Sequence, residues 1–228
     1  MPESKHYIIR GIQSLGDTKI FRLFPEDGKS ITFLPGQFVN LFKTDEPAMT
    51  RAYSIASPPS WPYIELAIQI IGGKFTSYLD TLNVGDSIGV MGPFGKNGYM
   101  GENKAVMIAG GVGITPMMSI IRHIAEKDIK GDFRLYYFSK QMNNTAYLSE
   151  LLSGSKQGMI KADFRFTRED GLPFSKERID IEKILSELGD FKDYNFYICA
   201  SVELVKSLSE ILVSKGLPKG QIKADAFG

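Results

Sequence analysis

The sequence predicts a two-domain protein, an antiparallel β-barrel or sandwich followed by an α/β domain built on a parallel sheet. Residues 5–92 read as short runs of Ile, Phe, Val and Tyr separated by turn formers, the grammar of a small all-β domain. From residue 104 onward, apolar runs alternate with helix-length amphipathic stretches, as in a parallel sheet with helices on both faces. Between the two lies "GPFGKNGYMGENK", residues 92–104, dense in glycine, weakly apolar and read as the linker. The predicted domains are 1–100 and 101–228, each large enough to bury a core of its own.

In chain order, the predicted strands of the first domain are "KHYIIRGIQSL", "TKIFRLFP", "GQFVNLFK", "TRAYSIAS", "YIELAIQI" and "DSIGVMG". Gly16-Asp17, Glu26-Asp27-Gly28, Pro35-Gly36, Pro58-Pro59 and Val84-Gly85-Asp86 supply the turns. A short helix is expected over Thr76–Leu82. In the second domain the predicted strands are "KAVMIAG", "FRLYYFS", "IKADFRFT", "NFYICA" and a final "QIKADAFG". Helices are expected over 116–128, 145–153, 179–188 and 202–215.

Composition narrows the chemistry. Of 228 residues, 43% are hydrophobic and 23% charged, an ordinary globular balance. Lys and Arg total 27 against 26 Asp and Glu, so neither nucleic acid nor an anionic membrane surface is an expected partner. One cysteine, Cys199, leaves no disulfide and no four-cysteine zinc or iron–sulfur site within this chain. His6 and His123 lack metal-ligand spacing, so no metal is expected. The N-terminus lacks a signal-peptide core and no apolar run reaches the ~20 residues of a membrane helix. A cytoplasmic protein without membrane insertion is the expectation, with its oligomeric state open.

The most informative stretch of the second half is "VMIAGGVGITPMMSIIRHI", residues 106–124. An apolar strand runs into Gly110, Gly111 and Gly113, and Thr115-Pro116 reads as the N-cap and first residue of an amphipathic helix. Glycines there let a ligand approach the backbone, and the amides of a helix start favour an anion such as a dinucleotide pyrophosphate. The alternative is a tight βα turn that holds no ligand. Pro116 stands where a third glycine of G-x-G-x-x-G belongs, and the second strand ends in Ser139-Lys140 where an acidic ribose-binding residue is usual. A cation at that place suits a 2′-phosphate.

"RAYS" at 51–54, "GGKFTSYL" at 72–79 and "GGVGITP" at 110–116, in this order, resemble the ferredoxin–NADP reductase-like flavoprotein family, and the resemblance covers nearly the whole chain. "FLPGQFVNL" is similar to the family's turn before a barrel strand. The resemblance implies a β-barrel FAD-binding domain and an α/β NAD(P)-binding domain. It implies that Arg51, Ala52, Tyr53, Ser54 and Ile68 contact FAD. Arg51 would hold a pyrophosphate oxygen, Tyr53 lie against the isoalloxazine or ribityl chain, and Ser54 bond near the reactive N5. Gly73, Lys74, Phe75 and Thr76 would form a pyrophosphate loop, with a simple N-cap as the other reading of Thr76. Gly111, Gly113 and Thr115 would underlie the dinucleotide. Ser139, Lys140, Arg168 and Arg178 would grip the 2′-phosphate of NADPH in preference to NADH, the alternative being ordinary solvated cations.

Two further points depend on the same resemblance. After its fourth strand the family commonly carries Cys-Gly-Pro near the nicotinamide; here Cys199 is kept and Ala200-Ser201 replace Gly-Pro. Phe227 in "ADAFG" would pack near the flavin or merely close the last strand. The implied activity is hydride transfer from nicotinamide C4 to flavin N5, with Ser54, Thr115 and Cys199 at the reacting rings and no general base, because the cofactors carry the chemistry. Electrons would then pass to a separate acceptor such as ferredoxin or an oxygenase component. A flavin reductase that releases its flavin, and a non-catalytic electron-transfer or nucleotide-binding subunit of a larger redox complex, stay open.

Overall fold

The computed structural model describes residues 2–168 and 179–227. The chain divides into two compact units, Met1–Met100 with Met118–Lys127, and Gly101–Met117 with Asp128–Gly228.

The first unit is one curled, wholly antiparallel sheet. Its strands are β1 (Glu3–Leu15), β2 (Thr18–Pro25), β3 (Phe38–Lys43), β4 (Glu46–Ser54), β5 (Ile64–Gln69) and β6 (Ser87–Phe94), in the spatial order β4-β3-β6-β1-β2-β5. Alternate residues turn inward, so Tyr7, Ile9, Phe21, Leu23, Val39, Leu41, Ile64, Leu66, Ile68, Ile88 and Val90 meet in one core. Each such side chain contributes about 1.5–3 kcal/mol by leaving water. The two outer strands approach where the Ala56 N–H, just past β4, donates to the Glu65 carbonyl in β5 at 2.7 Å. The expected linker begins later than the glycine content implied, because β6 continues through Phe94 beside β1 and β3.

Helix α1 (Lys74–Thr81) follows β5 and starts two residues before the expected position. Gly73 takes the N-cap place without a side-chain bond, and the Thr76 hydroxyl donates back to the Gly73 carbonyl at 3.1 Å. The simple N-cap reading of Thr76 is therefore corrected.

The second unit holds a five-stranded parallel sheet of β7 (Lys104–Gly110), β8 (Asp132–Ser139), β9 (Lys161–Phe166), β10 (Asn195–Ser201) and β11 (Ile222–Phe227), ordered β9-β8-β7-β10-β11. Helices α4 (Ile181–Leu188) and α5 (Val202–Ser214) cover the face that carries Val106, Ile108, Phe196 and Ile198. Ala105, Met107, Ala109 and Tyr137 on the other face are buried too, which explains the unbroken apolar runs. Helix α3 (Leu148–Lys156) starts three residues later than its expected range because Tyr147 caps it in the left-handed region, φ 62°. Asp180 and Ser201 cap α4 and α5 with their side-chain oxygens.

Helix α2 (Ile114–Glu126) corrects a second cap. A single 3-10 turn over Gly111–Gly113 leads straight into it, so Thr115 is already helical. Its hydroxyl donates to the Val112 carbonyl at 2.6 Å instead of accepting from the helix start.

Candidate functional site

In the first unit the motif "RAYS" is the end of β4, and its alternation divides the four residues between two faces. Arg51 and Tyr53 pair with Leu41 and Val39, so they share the face that leads into the core. Ala52 and Ser54 pair with Asn40 and Phe38 on the other. Arg51 is exposed, and its Nη1 donates to the Thr50 carbonyl at 2.9 Å. A guanidinium has five donors, so the bond leaves a fork able to meet a phosphate.

Tyr53 is half-buried and lies parallel to Phe75 of α1, ring centroids 6.1 Å apart at 28°; Phe75 in turn meets Tyr78 edge-on at 6.0 Å. Burial pushes the Tyr53 phenol up to about 12 despite Arg51 pulling it down, so the ring is neutral at any ordinary pH. The structure thus joins two motifs through rings that are 22 residues apart in sequence. At the start of α1 the amides of Lys74, Phe75 and Thr76 have no acceptor within the helix, as at any helix N-terminus. Lys74 pairs with Glu46 at 2.9 Å in an exposed bridge. Ile68 is placed differently from its expected role, since it is 1% exposed within the core and its side chain offers a ligand no surface.

In the second unit the site is made by backbone. The order β9-β8-β7-β10-β11 reverses direction between β7 and β10, and ligands of open α/β sheets bind outside the carboxyl ends of the strands at such a point. Gly110–Gly113 ends β7 there, and Cys199–Ser201 ends β10. Gly111 has φ 52°, and a Cβ on it would meet open space, so its need is conformational. Gly113 is different: a Cβ would overlap the Cys199 carbonyl and sit 2.9 Å from the Phe227 ring. The main chains of the glycine turn and the Cys199 strand end are therefore in direct contact, with Phe227 beside them.

Gly111, Gly113, Cys199 and Phe227 are brought together, and Thr115 follows one residue into the helix, 2% exposed. The Cys199 thiol is pushed up to about 12 by burial and then by Asp225, so it acts as a neutral packing group and not as a thiolate. Ala200 is accommodated because it faces a glycine: a Cβ on Gly110 would come 3.3 Å from the Ala200 Cβ. Ser201 serves as the cap of α5, accepting from the Leu204 N–H at 3.4 Å.

At the ends of β8 and β9 the chain brings Ser139-Lys140 beside Thr167-Arg168. The Thr167 N–H donates to the Ser139 carbonyl and the Arg168 N–H to the Lys140 carbonyl, both at 3.0 Å. Lys140 and Arg168 are exposed, two cations on adjacent strand ends, while the Ser139 hydroxyl donates to the Gln141 carbonyl at 3.2 Å. Arg178 lies outside the described residues.

Sequence reasoning missed a buried polar group in the first unit. Glu65 and Arg122, 1% and 8% exposed, are paired at 2.8 Å. The available signal was a charge inside each of two apolar runs, "YIELAIQI" and "MMSIIRHI".

Fit to the expected groups rests on these observations. The glycine turn against the Cys199 carbonyl offers main chain at close approach, and Arg51 with the α1 amides offers donors suited to a second pyrophosphate. The fold and its two donor sets suit a protein that binds a flavin dinucleotide in the first unit and a second dinucleotide in the other. Residues 9–99 match the oxidoreductase FAD-binding domain and residues 107–210 the oxidoreductase NAD-binding domain. The chain belongs to the ferredoxin reductase-like family of FAD- and NAD(P)-binding proteins.

Among its relatives, the propane 2-monooxygenase reductase component of Rhodococcus jostii (strain RHA1) is 30% identical over 229 residues, 92% of this chain and 60% of that one. The ferredoxin–NAD(P)(+) reductase component of the naphthalene 1,2-dioxygenase/salicylate 5-hydroxylase systems of a Ralstonia species is 27% identical, over 91% of this chain and 64% of its own. The FAD/NAD-binding domain of a nitric oxide dioxygenase from Vibrio cholerae O1 biovar El Tor shares the fold, with TM-score 0.87, 21% identity and 98% of each chain covered. The chain spans 60% to 64% of the length of the two relatives named. No helix among the described residues is long and apolar enough to cross a membrane.

Proposed function

We propose that the protein is an FAD-dependent NAD(P)H oxidoreductase that delivers electrons to a separate acceptor, a ferredoxin or an oxygenase component. The observation that carries the reading is the glycine turn at the switch point of β7 and β10, in a chain whose other unit matches an FAD-binding domain. With both cofactors bound, the nicotinamide supplies hydride and the flavin accepts it. The chain's own part is to bind and orient. Arg51 neutralises a flavin pyrophosphate with the α1 amides, and neutral Tyr53, stacked on Phe75, offers an apolar wall. Ser54 donates its hydroxyl at the strand end.

Gly111 and Gly113 let the dinucleotide approach the main chain, and buried Thr115 and Cys199 shape the floor beside it without giving up a proton. Lys140 and Arg168, with Ser139 and Arg178, take a 2′-phosphate, favouring NADPH over NADH. The choice of acceptor is supported by the two oxygenase-system reductase components among the relatives. Protein reconstituted with FAD and passed through gel filtration tests the flavin assignment. Stoichiometric FAD in the protein peak is expected. Release of all the flavin under these conditions would favour the flavin reductase reading.

A further inference from the structure

β4 ends at Ser54, yet the next three residues are fully buried: Ile55, Ala56 and Ser57 are each 0% exposed. Buried main-chain groups need partners. The Ile55 N–H donates to the Gln37 carbonyl at 3.0 Å and the Ala56 N–H to the Glu65 carbonyl at 2.7 Å. The Ala56 and Ser57 carbonyls are met by side chains of the second half of α2, which belongs to the first unit. Arg122 donates from Nη1 to the Ala56 carbonyl at 3.0 Å and to Glu65 Oε1 at 2.8 Å. Ser119 donates its hydroxyl to the Ser57 carbonyl at 2.7 Å.

Glu65 completes the frame. Its other oxygen accepts from Arg22 Nε at 2.9 Å, and its own N–H donates to the Ser57 hydroxyl at 3.0 Å. The Arg122 guanidinium also lies 4.8 Å from the ring centre of Trp61, whose Nε1 donates to Glu126 at 2.7 Å. Packing alone does not call for such a set. A buried ion pair stabilises little more than well-packed apolar side chains of similar size, and often less. What apolar side chains cannot supply is a fixed donor to a main-chain carbonyl two residues after Ser54.

We infer that Arg122 and Glu65 are positioning residues, which hold the Ile55–Ser57 segment and through it set Tyr53 and Ser54 for the flavin. The inference rests on the FAD reading above. Neither residue touches the ligand in this account, so their removal alters how firmly the flavin is held and not what it is held by.

The test uses the holoprotein with two readouts, FAD dissociation followed by flavin fluorescence and urea unfolding followed by emission of Trp61, the only tryptophan. Arg122→Met leaves Glu65 without its buried partner and is expected to weaken FAD binding and to lower the unfolding midpoint. The double variant Glu65→Leu with Arg122→Met removes both charges and is expected to recover part of the unfolding midpoint, the Ala56 carbonyl still lacking its donor. Its FAD dissociation constant should still be raised, by about tenfold, because the Ala56 carbonyl loses the donor that fixes the segment behind Tyr53 and Ser54. Recovery of wild-type FAD affinity together with stability would show a merely structural pair and overturn the proposal.

Should the double variant not fold, Arg122→Lys provides the same contrast. It keeps a positive charge beside Glu65 but lacks the planar fork. Weakened FAD binding at near-normal stability supports positioning, and unchanged FAD binding overturns it. Failure of the wild type itself to bind FAD is a separate result, and sinks the flavin assignment instead.

Discussion

At the end of β7 the backbone itself forms the candidate site, whereas at the end of β4 side chains form it and a distant polar frame holds them. Gly113 leaves no room for a Cβ against the Cys199 carbonyl, and Phe227 closes the same spot. Arg51 and Tyr53, by contrast, stand on one face of a strand, backed by Phe75 and fixed from behind by the Glu65–Arg122 pair. A site made by main-chain approach has no slack and fails whole when a methyl is added. A site made by side chains loses its members one at a time.

The largest effect expected from this contrast is Gly113→Ala. Its methyl would strike main chain, which cannot swing aside, so a loss of more than about 4 kcal/mol, or no folded protein, is expected in urea unfolding. A Gly113→Ala protein of normal stability would break the comparison. Arg51→Ala comes next. The fold should persist, because the side chain is exposed, while FAD affinity falls by about 1.5–3 kcal/mol, read by equilibrium dialysis. Full FAD retention would refute the role given to Arg51.

Arg168→Ala is expected to do less. NADPH binding should weaken about tenfold, the value of one charged hydrogen bond, with NADH binding nearly unchanged. Equal losses for the two nucleotides would remove the 2′-phosphate from the account.

The smallest effect is alkaline. The Cys199 thiol, ordinarily near 9, holds its proton to about 12 when folded, and Tyr53 and Tyr136 are likewise pushed up to about 12 from 10 by burial. Between those values the folded chain binds more protons than the unfolded one, so stability falls as pH rises from about 9 to 12. Cys199→Ala should make the decline shallower, and an unchanged slope would show that the thiol is not protected.

The same difference explains what could be read in the sequence. Both sheets were legible because burial on one face or two leaves alternating or unbroken apolar runs, and the glycine turn was legible because close approach demands glycine. The Thr115 cap was misread, and the alternative cap reading of Thr76 falls with it, since a Ser or Thr near a helix start looks alike whether its hydroxyl accepts from the helix or donates back to the preceding turn. Here both donate back. The stacking of Tyr53 on Phe75 and the Glu65–Arg122 pair depend on which distant residues meet, 57 positions apart in the second case, and no local pattern carries that. The Ala200-Ser201 pair, which stands where the family commonly has Gly-Pro, is accommodated locally. Gly110 gives Ala200 its room, and Ser201 gains a capping role.

The central claim is that one chain binds FAD and is reduced by a nicotinamide held at the β7–β10 switch point. An anaerobic absorption titration of FAD-loaded protein tests it most directly. Stoichiometric NADPH should bleach the oxidised flavin band, with NADH requiring higher concentration. A protein that holds its flavin while neither nucleotide bleaches it would contradict the account and leave a non-catalytic nucleotide-binding subunit in its place.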